Sequence, residues 1–156
     1  MDDLASPAFL GRRQQHFQAD VSTLIEFEPD ADNEEAGLAA YQSDSHHCQA
    51  AITRRGGRRV AMVRRRIGSA IVESIALPVE NGPLTLSIAV ARDWYIFSLT
   101  SQSGRTTELA RHESRYLSTE VAGGFVGVML GIYATARGTE SANAAHFDWF
   151  EYLPKQ

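Results

Sequence analysis

Apolar and polar side chains alternate along this chain with a period of two. Phe17, Ala19, Val21, Thr23, Ile25 and Phe27 share one side of an extended segment; Gln18, Asp20, Ser22, Glu26 and Glu28 share the other, with Leu24 the exception. Such alternation predicts an antiparallel strand with one buried face. Glu28 to Asn33, rich in Pro, Asp and Asn, breaks it. Further strands are predicted over 36–42, 46–54, 59–66 and 71–77, with Pro78 stopping the last. Arg55-Gly56-Gly57-Arg58 reads as a hairpin, because tight hairpin turns need positive φ and glycine adopts it freely.

Pro83 opens the most regular strand, with Leu84, Leu86, Ile88 and Val90 on one face. Strands over 94–100 and 106–110 follow. Residues 111–122 read as irregular, with one helical turn near Leu117. Val126, Val128, Leu130 and Ile132 form the face of a late strand, and 144–152 is the last, with Phe147 and Trp149 expected on one side and Phe150 and Tyr152 on the other. Many short strands separated by regularly spaced turns predict an all-β chain folded as an antiparallel β-sandwich. Residues 1–10 are expected to form a mobile segment and 11–154 a single domain.

Composition narrows the classes without changing that reading. A chain of 156 residues, 44% hydrophobic and 22% charged, suits one globular domain with its own core. A net charge of −4 argues against a polyanion-binding surface over the whole molecule. No apolar run approaches the ~18 residues of a membrane helix. The acidic start, Met1-Asp2-Asp3-Leu4, with no apolar segment after it, differs from a secretory signal, and a single cysteine, Cys48, forms no internal disulfide. A cytoplasmic location is the expectation.

Several clusters invite a chemical reading. Arginines at 54, 55, 58, 59, 64, 65 and 66 resemble a phosphate-binding patch, but they flank a hairpin whose alternation divides them between two faces, so nucleic-acid binding is not expected. His46-His47-Cys48 lies on a strand, where neighbouring side chains point oppositely and do not ligate one metal ion; Cys48 reads as a core residue. Asp30, Asp32 and Glu34 alternate along an acidic loop and are the one candidate for a structural calcium, without a full calcium-loop pattern; no other cofactor is expected. Asp148, between aromatics, is expected to be a buried structural acid. Trp94, Tyr95, Tyr133, Trp149 and Tyr152 are candidates for a sugar-stacking platform, weighed against core packing. No spacing identifies a facing pair of carboxyl groups, and no Gly-x-Ser-x-Gly elbow, Walker motif or Gly-x-Gly-x-x-Gly is present. No catalytic residue is therefore assigned.

Five ordered motifs carry a family resemblance: Arg12-Arg13-Gln14-Gln15-His16-Phe17; Glu34-Glu35-Ala36-Gly37-Leu38 with Tyr41-Gln42; the arginine hairpin; Gly123-Gly124-Phe125 with the strand after it; and Phe147-Asp148-Trp149-Phe150-Glu151-Tyr152. Together, over residues 6–153, they resemble the C-terminal domain of family 43 glycoside hydrolases of the β-xylosidase and α-L-arabinofuranosidase type. The resemblance implies a concanavalin A-like jelly roll and a non-catalytic, accessory role beside a catalytic propeller that holds the bond-breaking carboxylates. It implies that Phe125 sits on a loop placing an aromatic ring at the mouth of the propeller's pocket, where it contacts a xylo- or arabino-oligosaccharide. The family domain carries a longer stretch, with an early strand, before the Arg-Arg-Gln-Gln-His motif. The shorter lead here implies an open edge, in a fragment of a larger enzyme or in a stand-alone protein that covers the edge as a homo-oligomer. A free-standing carbohydrate-binding module is the further alternative.

Overall fold

The computed structural model describes residues 8–124 and 127–156. Its strands are β1 (Ala8–Arg13), β2 (Ala19–Glu26), β3 (Glu35–Ser43), β4 (His46–Arg55), β5 (Arg58–Ile67), β6 (Ala70–Glu73), β7 (Leu77–Pro78), β8 (Leu84–Val90), β9 (Trp94–Thr100), β10 (Thr106–Glu113), β11 (Met129–Thr135) and β12 (His146–Pro154). One sheet runs β1-β11-β3-β4-β5-β6, with β7 also on β5; the other runs β10-β9-β8-β2-β12. Every pairing is antiparallel. The sheets stack as an all-β sandwich, with β5 against β10 on one flank and β11 against β12 on the other.

The layer between them follows the alternation. Ala36, Leu38 and Ala40 of β3, Ala50 and Ile52 of β4, and Ala61 and Val63 of β5 face Val21, Ile25, Leu84, Leu86, Ile88 and Phe97 of the second sheet, all fully buried. At ~1.5–3 kcal/mol for each large apolar side chain removed from water, this layer is the main source of stability. Gly56 and Gly57 close the β4–β5 hairpin with φ of +56° and +78°, the backbone a two-residue hairpin turn asks for.

The outer face of the larger sheet departs from the expected pattern, because it too is buried. Gly11 pairs with Gly131, Gly131 with Ala39, and Gly37 with Ala51, so small residues lie side by side across four strands. A Cβ at Gly37 would fall 1.9 Å from the Ala50 carbonyl oxygen, and one at Gly131 would fall 2.4 Å from that of Leu10. Longer side chains roof this floor. Ala39, Ala51, Met62 and Tyr133 form a second cluster, with Phe9 and Tyr41 packed on it. Arg64, Glu35 and Gln49, each 1% exposed or less, lie in the same face.

Other differences have local causes. Residues 8–10, expected in the mobile segment, pair with Ile132–Ala134. Phe17, expected to face inward, precedes β2 and is 80% exposed. The strand foreseen over 71–77 is split by Ser74, whose N–H donates to the Val63 carbonyl (2.8 Å) while its hydroxyl accepts the Val63 N–H (2.8 Å). β10 continues to Glu113 after a bulge at Leu109. In β12 a bulge at Asp148 inserts one extra residue and resets the alternation. Phe147 therefore packs inward with Phe150 and Tyr152, Trp149 turns outward, and Asp148 is exposed rather than buried.

Candidate functional site: a cleft at one end of the sandwich

The connection from β1 to β2 crosses between the sheets at one end of the molecule, and its motif residues are tied down there. Gln14 donates its backbone N–H to Val128 (2.8 Å), its side-chain nitrogen donates to the His16 carbonyl (3.0 Å), and its side-chain oxygen accepts from Tyr95 (2.7 Å). The Tyr152 hydroxyl accepts from the Gln15 N–H (3.2 Å) and lies 3.1 Å from His16 Nδ1. The Arg12 guanidinium stacks 4.4 Å over the Tyr152 ring. The Arg-Arg-Gln-Gln-His sequence is thus a clasp joining β1, β9, β11 and β12. Burial raises the Tyr95 hydroxyl above the ordinary phenol range, so it serves this clasp as a proton donor.

Beside the clasp, β10 ends in a 3-10 turn (Ser114–Leu117) followed by α1 (Thr119–Ala122). Leu117, 2% exposed, plugs the segment into the core. Ser114 fastens it to the 91–93 turn by donating its N–H to Asp93 and its hydroxyl to Arg92. Beyond α1, Gly123 and Gly124 take φ of +74° and +76°, which L side chains rarely adopt, and Gln42 of β3 donates to the Gly123 carbonyl (2.8 Å). The backbone is therefore held at Gly123 and again at Val128. Phe125, the residue singled out by motif, lies between these two ties in sequence and outside the described residues.

Clasp and segment enclose an open cleft of about 430 Å³ lined by Gln14, His16, Phe17, Tyr95, Thr119, Glu120 and their neighbours. Phe17 and Val121 are exposed at this end, as is Trp94, 38% exposed, on the neighbouring strand. Among the described residues Glu120 is the only carboxylate lining the cleft. Hydrogen bonds from its own backbone N–H and from Ser118 hold it below the usual carboxylate range, the opposite of what a proton-donating acid requires. A glycosidase uses two carboxyl groups across the scissile bond; the described residues of this cleft supply Glu120 alone.

The other candidates lie at separate places in the fold. Tyr95, Tyr133 and Tyr152 are buried. Trp94 and Trp149 are partly exposed, but they sit on β9 and β12, three strand positions apart, and Trp149 is in register with Thr100, six residues along β9 from Trp94, which does not make one continuous platform. Most of the arginine cluster is spent within the domain. Arg59 donates to the carbonyls of Phe27, Glu80 and Gly82. Arg64 pairs with Glu35 and Glu73, and Arg65 stacks 4.8 Å from Tyr116. Cys48 points into the core, where burial pushes its thiol up to about 12, while His47 lies on the opposite face with Nδ1 3.2 Å from the Ser43 carbonyl. In the acidic loop, Asp30 and Asp32 are exposed. The Glu34 carboxylate accepts from the backbone N–H of Asp30 and Ala31 and from Ser141 and Asn143. Among the described residues no group of three His, Cys, Asp or Glu is placed to hold a metal ion. Gln14 and Gln42, which hold the cleft, are marked in the sequence only by falling inside the family motifs, and Tyr95, a candidate for sugar stacking, is instead a buried donor to Gln14.

Residues 1–153 match the family model described as "Beta xylosidase C-terminal Concanavalin A-like domain". The chain belongs to the β-xylosidase C-terminal concanavalin A-like domain family. Within that family's setting, it is 38% identical over 149 residues to the non-reducing end alpha-L-arabinofuranosidase BoGH43B of Bacteroides ovatus, covering 94% of this chain and 28% of that protein. It is 23% identical to a xylosidase/arabinosidase of Butyrivibrio fibrisolvens, covering 96% and 29%. The solved structure titled Bacteroides ovatus Xyloglucan PUL GH43B superposes with a TM-score of 0.90 at 36% identity, covering 94% of this chain and 29% of that one. The xylan beta-1,4-xylosidase of Bacillus halodurans superposes with a TM-score of 0.87 at 21% identity and shares the fold. The chain spans under a third of the length of these relatives. The jelly roll expected from the motifs is the fold observed.

Proposed function

We propose that this concanavalin A-like domain is the non-catalytic, accessory part of a β-xylosidase or α-L-arabinofuranosidase type glycosidase. It packs on a catalytic propeller through the end bearing the cleft and helps close that propeller's sugar pocket. The observation that carries this reading is coverage: nearly the whole chain aligns, with 28% to 29% of each relative. Two features support it. Phe17, Val121 and Trp94 leave apolar surface exposed at one end, where a neighbouring domain would cover it. Gly123 and Val128, which flank Phe125 in sequence, are tied to Gln42 and Gln14, and an aromatic ring stacks on the apolar face of a pyranose.

The test belongs in a polypeptide carrying both domains. Phe125→Ala should raise KM for xyloside or arabinoside substrates about tenfold, the factor that corresponds to ~1.4 kcal/mol, with the unfolding midpoint unchanged. Unchanged kinetics would remove the pocket-closing role. An NMR titration of this chain alone with xylose, xylobiose and arabinose separates the alternative: shifts at millimolar sugar would mean recognition without a partner domain.

A further inference from the structure

Three asparagines occur in the chain, and two are spent within the fold. Asn33 donates its side-chain nitrogen to the Ala136 carbonyl (2.8 Å), and Asn143 donates to the Glu28 carbonyl (2.7 Å) and to Glu34 (2.9 Å). Asn81 is different. It lies in the loop between β7 and β8, it is exposed, and its side-chain amide makes no hydrogen bond to a described residue. Gly82 follows it.

An asparagine side chain is an electrophile within reach of the next residue's backbone nitrogen, and attack by that nitrogen closes a succinimide ring. Three conditions favour closure: an unhindered nitrogen, a group that takes its proton, and a donor on the carbonyl of the same peptide, which makes the N–H more acidic. All three meet here. Gly82 has no side chain, and its φ of +94° is one that L side chains rarely adopt. Its N–H donates to Glu28 Oε1 (2.8 Å). The Asn81 carbonyl, the other half of that peptide unit, accepts from Gln102 Nε2 (2.8 Å). Hydrogen bonds at both ends of one amide polarise it in the same direction. The loop is fixed in this arrangement by Arg59, which donates to the Glu80 and Gly82 carbonyls, and by the Gln102 backbone N–H, which donates to the Glu80 carboxylate (3.3 Å).

We infer that Asn81–Gly82 is a self-modification site at which the folded chain deamidates, with Glu28 as the base. The Gly82 nitrogen attacks Asn81 Cγ while Glu28 takes the N–H proton; the bond from Cγ to the side-chain nitrogen breaks, and that nitrogen leaves as ammonia with the proton Glu28 took. Water then opens the succinimide at either carbonyl, giving aspartate or isoaspartate at position 81. Both products add a carboxylate next to Glu80, and isoaspartate also lengthens the main chain ahead of Gly82. Arg59, 9% exposed, relies on the Gly82 carbonyl as an acceptor, so the change falls on a buried cation. None of these residues lines the cleft, and the chemistry is independent of whether a catalytic propeller docks there.

The test is peptide mapping of the purified chain held at neutral pH, with mass spectrometry and isoaspartyl-specific methylation as readouts. Conversion should appear at Asn81 and not at Asn33 or Asn143. Glu28→Gln keeps an acceptor for the Gly82 N–H but removes the base. It should slow conversion roughly tenfold, less than an enclosed enzyme base contributes, because this carboxylate is 48% exposed. In urea, where the fold is lost, the two proteins should convert at the same rate. No conversion at Asn81, a Glu28→Gln rate equal to wild type in the folded chain, or a difference that persists in urea overturns it. Gln102→Ala leaves Glu28 in place and should also slow the reaction; an unchanged rate there overturns it as well.

Discussion

The two faces of the larger sheet are both buried at their centre and chemically unlike. On the inner face Ala36, Leu38, Ala40, Ala50, Ile52, Ala61 and Val63 meet the second sheet with hydrocarbon alone. On the outer face Arg64 donates from Nη1 to both oxygens of Glu35 (2.9 Å each) and from Nε to Glu73 (2.9 Å); Gln49 donates to Glu35 (2.6 Å), and Tyr133 donates to it at 3.3 Å. Burial is the largest single influence on Arg64 and disfavours its cation, but the charge and hydrogen bonds of Glu35, with Tyr133 and the Glu73 hydrogen bond, together outweigh it and hold the guanidinium above its usual range. Burial, then Glu35, keeps the Tyr133 hydroxyl protonated. One face gains from removing apolar surface from water and tolerates small shape changes. The other depends on every member of a network being present, because a buried ion left alone is far costlier than a lost methyl group.

Substitutions on each face break this comparison at different strengths. Arg64→Ala should have the largest effect, a loss of about 4 kcal/mol in urea unfolding, since it strands the Glu35 carboxylate away from water. Replacing both partners, Glu35→Leu with Arg64→Met, should recover most of that loss; failure to recover would mean that the network positions the strands as well as satisfying its own charges. Leu38→Ala on the inner face should cost about 3 kcal/mol by the same measurement, from lost transfer free energy and the cavity left behind.

The smallest effect sharpens the contrast where titratable groups reach the inner layer. His112 of β10 lies 3.3 Å from Arg65 through Nδ1 and against Phe97, and burial followed by the Arg65 charge lowers it from 6.5 to about 4. A folded-state pKa below the unfolded one means that the unfolded chain binds the proton more readily. The stability from a neutral His112 is therefore complete above about pH 6.5 and is lost progressively as pH falls toward 4. Thermal unfolding across that window should show the decline, and His112→Gln should flatten it. An identical slope in both proteins would assign the decline to other groups.

The inner face was legible in the sequence, and the outer one was not. Leu84, Leu86, Ile88 and Val90 announce their burial by alternation, as does most of β2. Glu35, Arg64 and Gln49 look like solvated positions in any linear reading. They become partners only because β3, β4 and β5 lie side by side, bringing residues 14 and 29 positions apart into one network. The bulge at Asp148 was hidden for a related reason, since a single inserted residue leaves the sequence pattern intact and reverses the faces beyond it. The cleft was half visible. Its motifs were recognisable, but that Gln14 and Gln42 act as ties follows from a crossover that no local pattern encodes.

The order in which the strands join also bears on how the chain acquires its shape. β12, the last strand, pairs with β2, the second, and β11 pairs with both β1 and β3. Neither sheet is complete until the final quarter of the sequence is available. Contacts that must span most of the chain form late and slowly, because the entropy of closing such long loops is spent before the contacts are made. On a ribosome, the N-terminal strands of this domain would emerge with their partners still unmade, and the sandwich would close only once β12 had followed them.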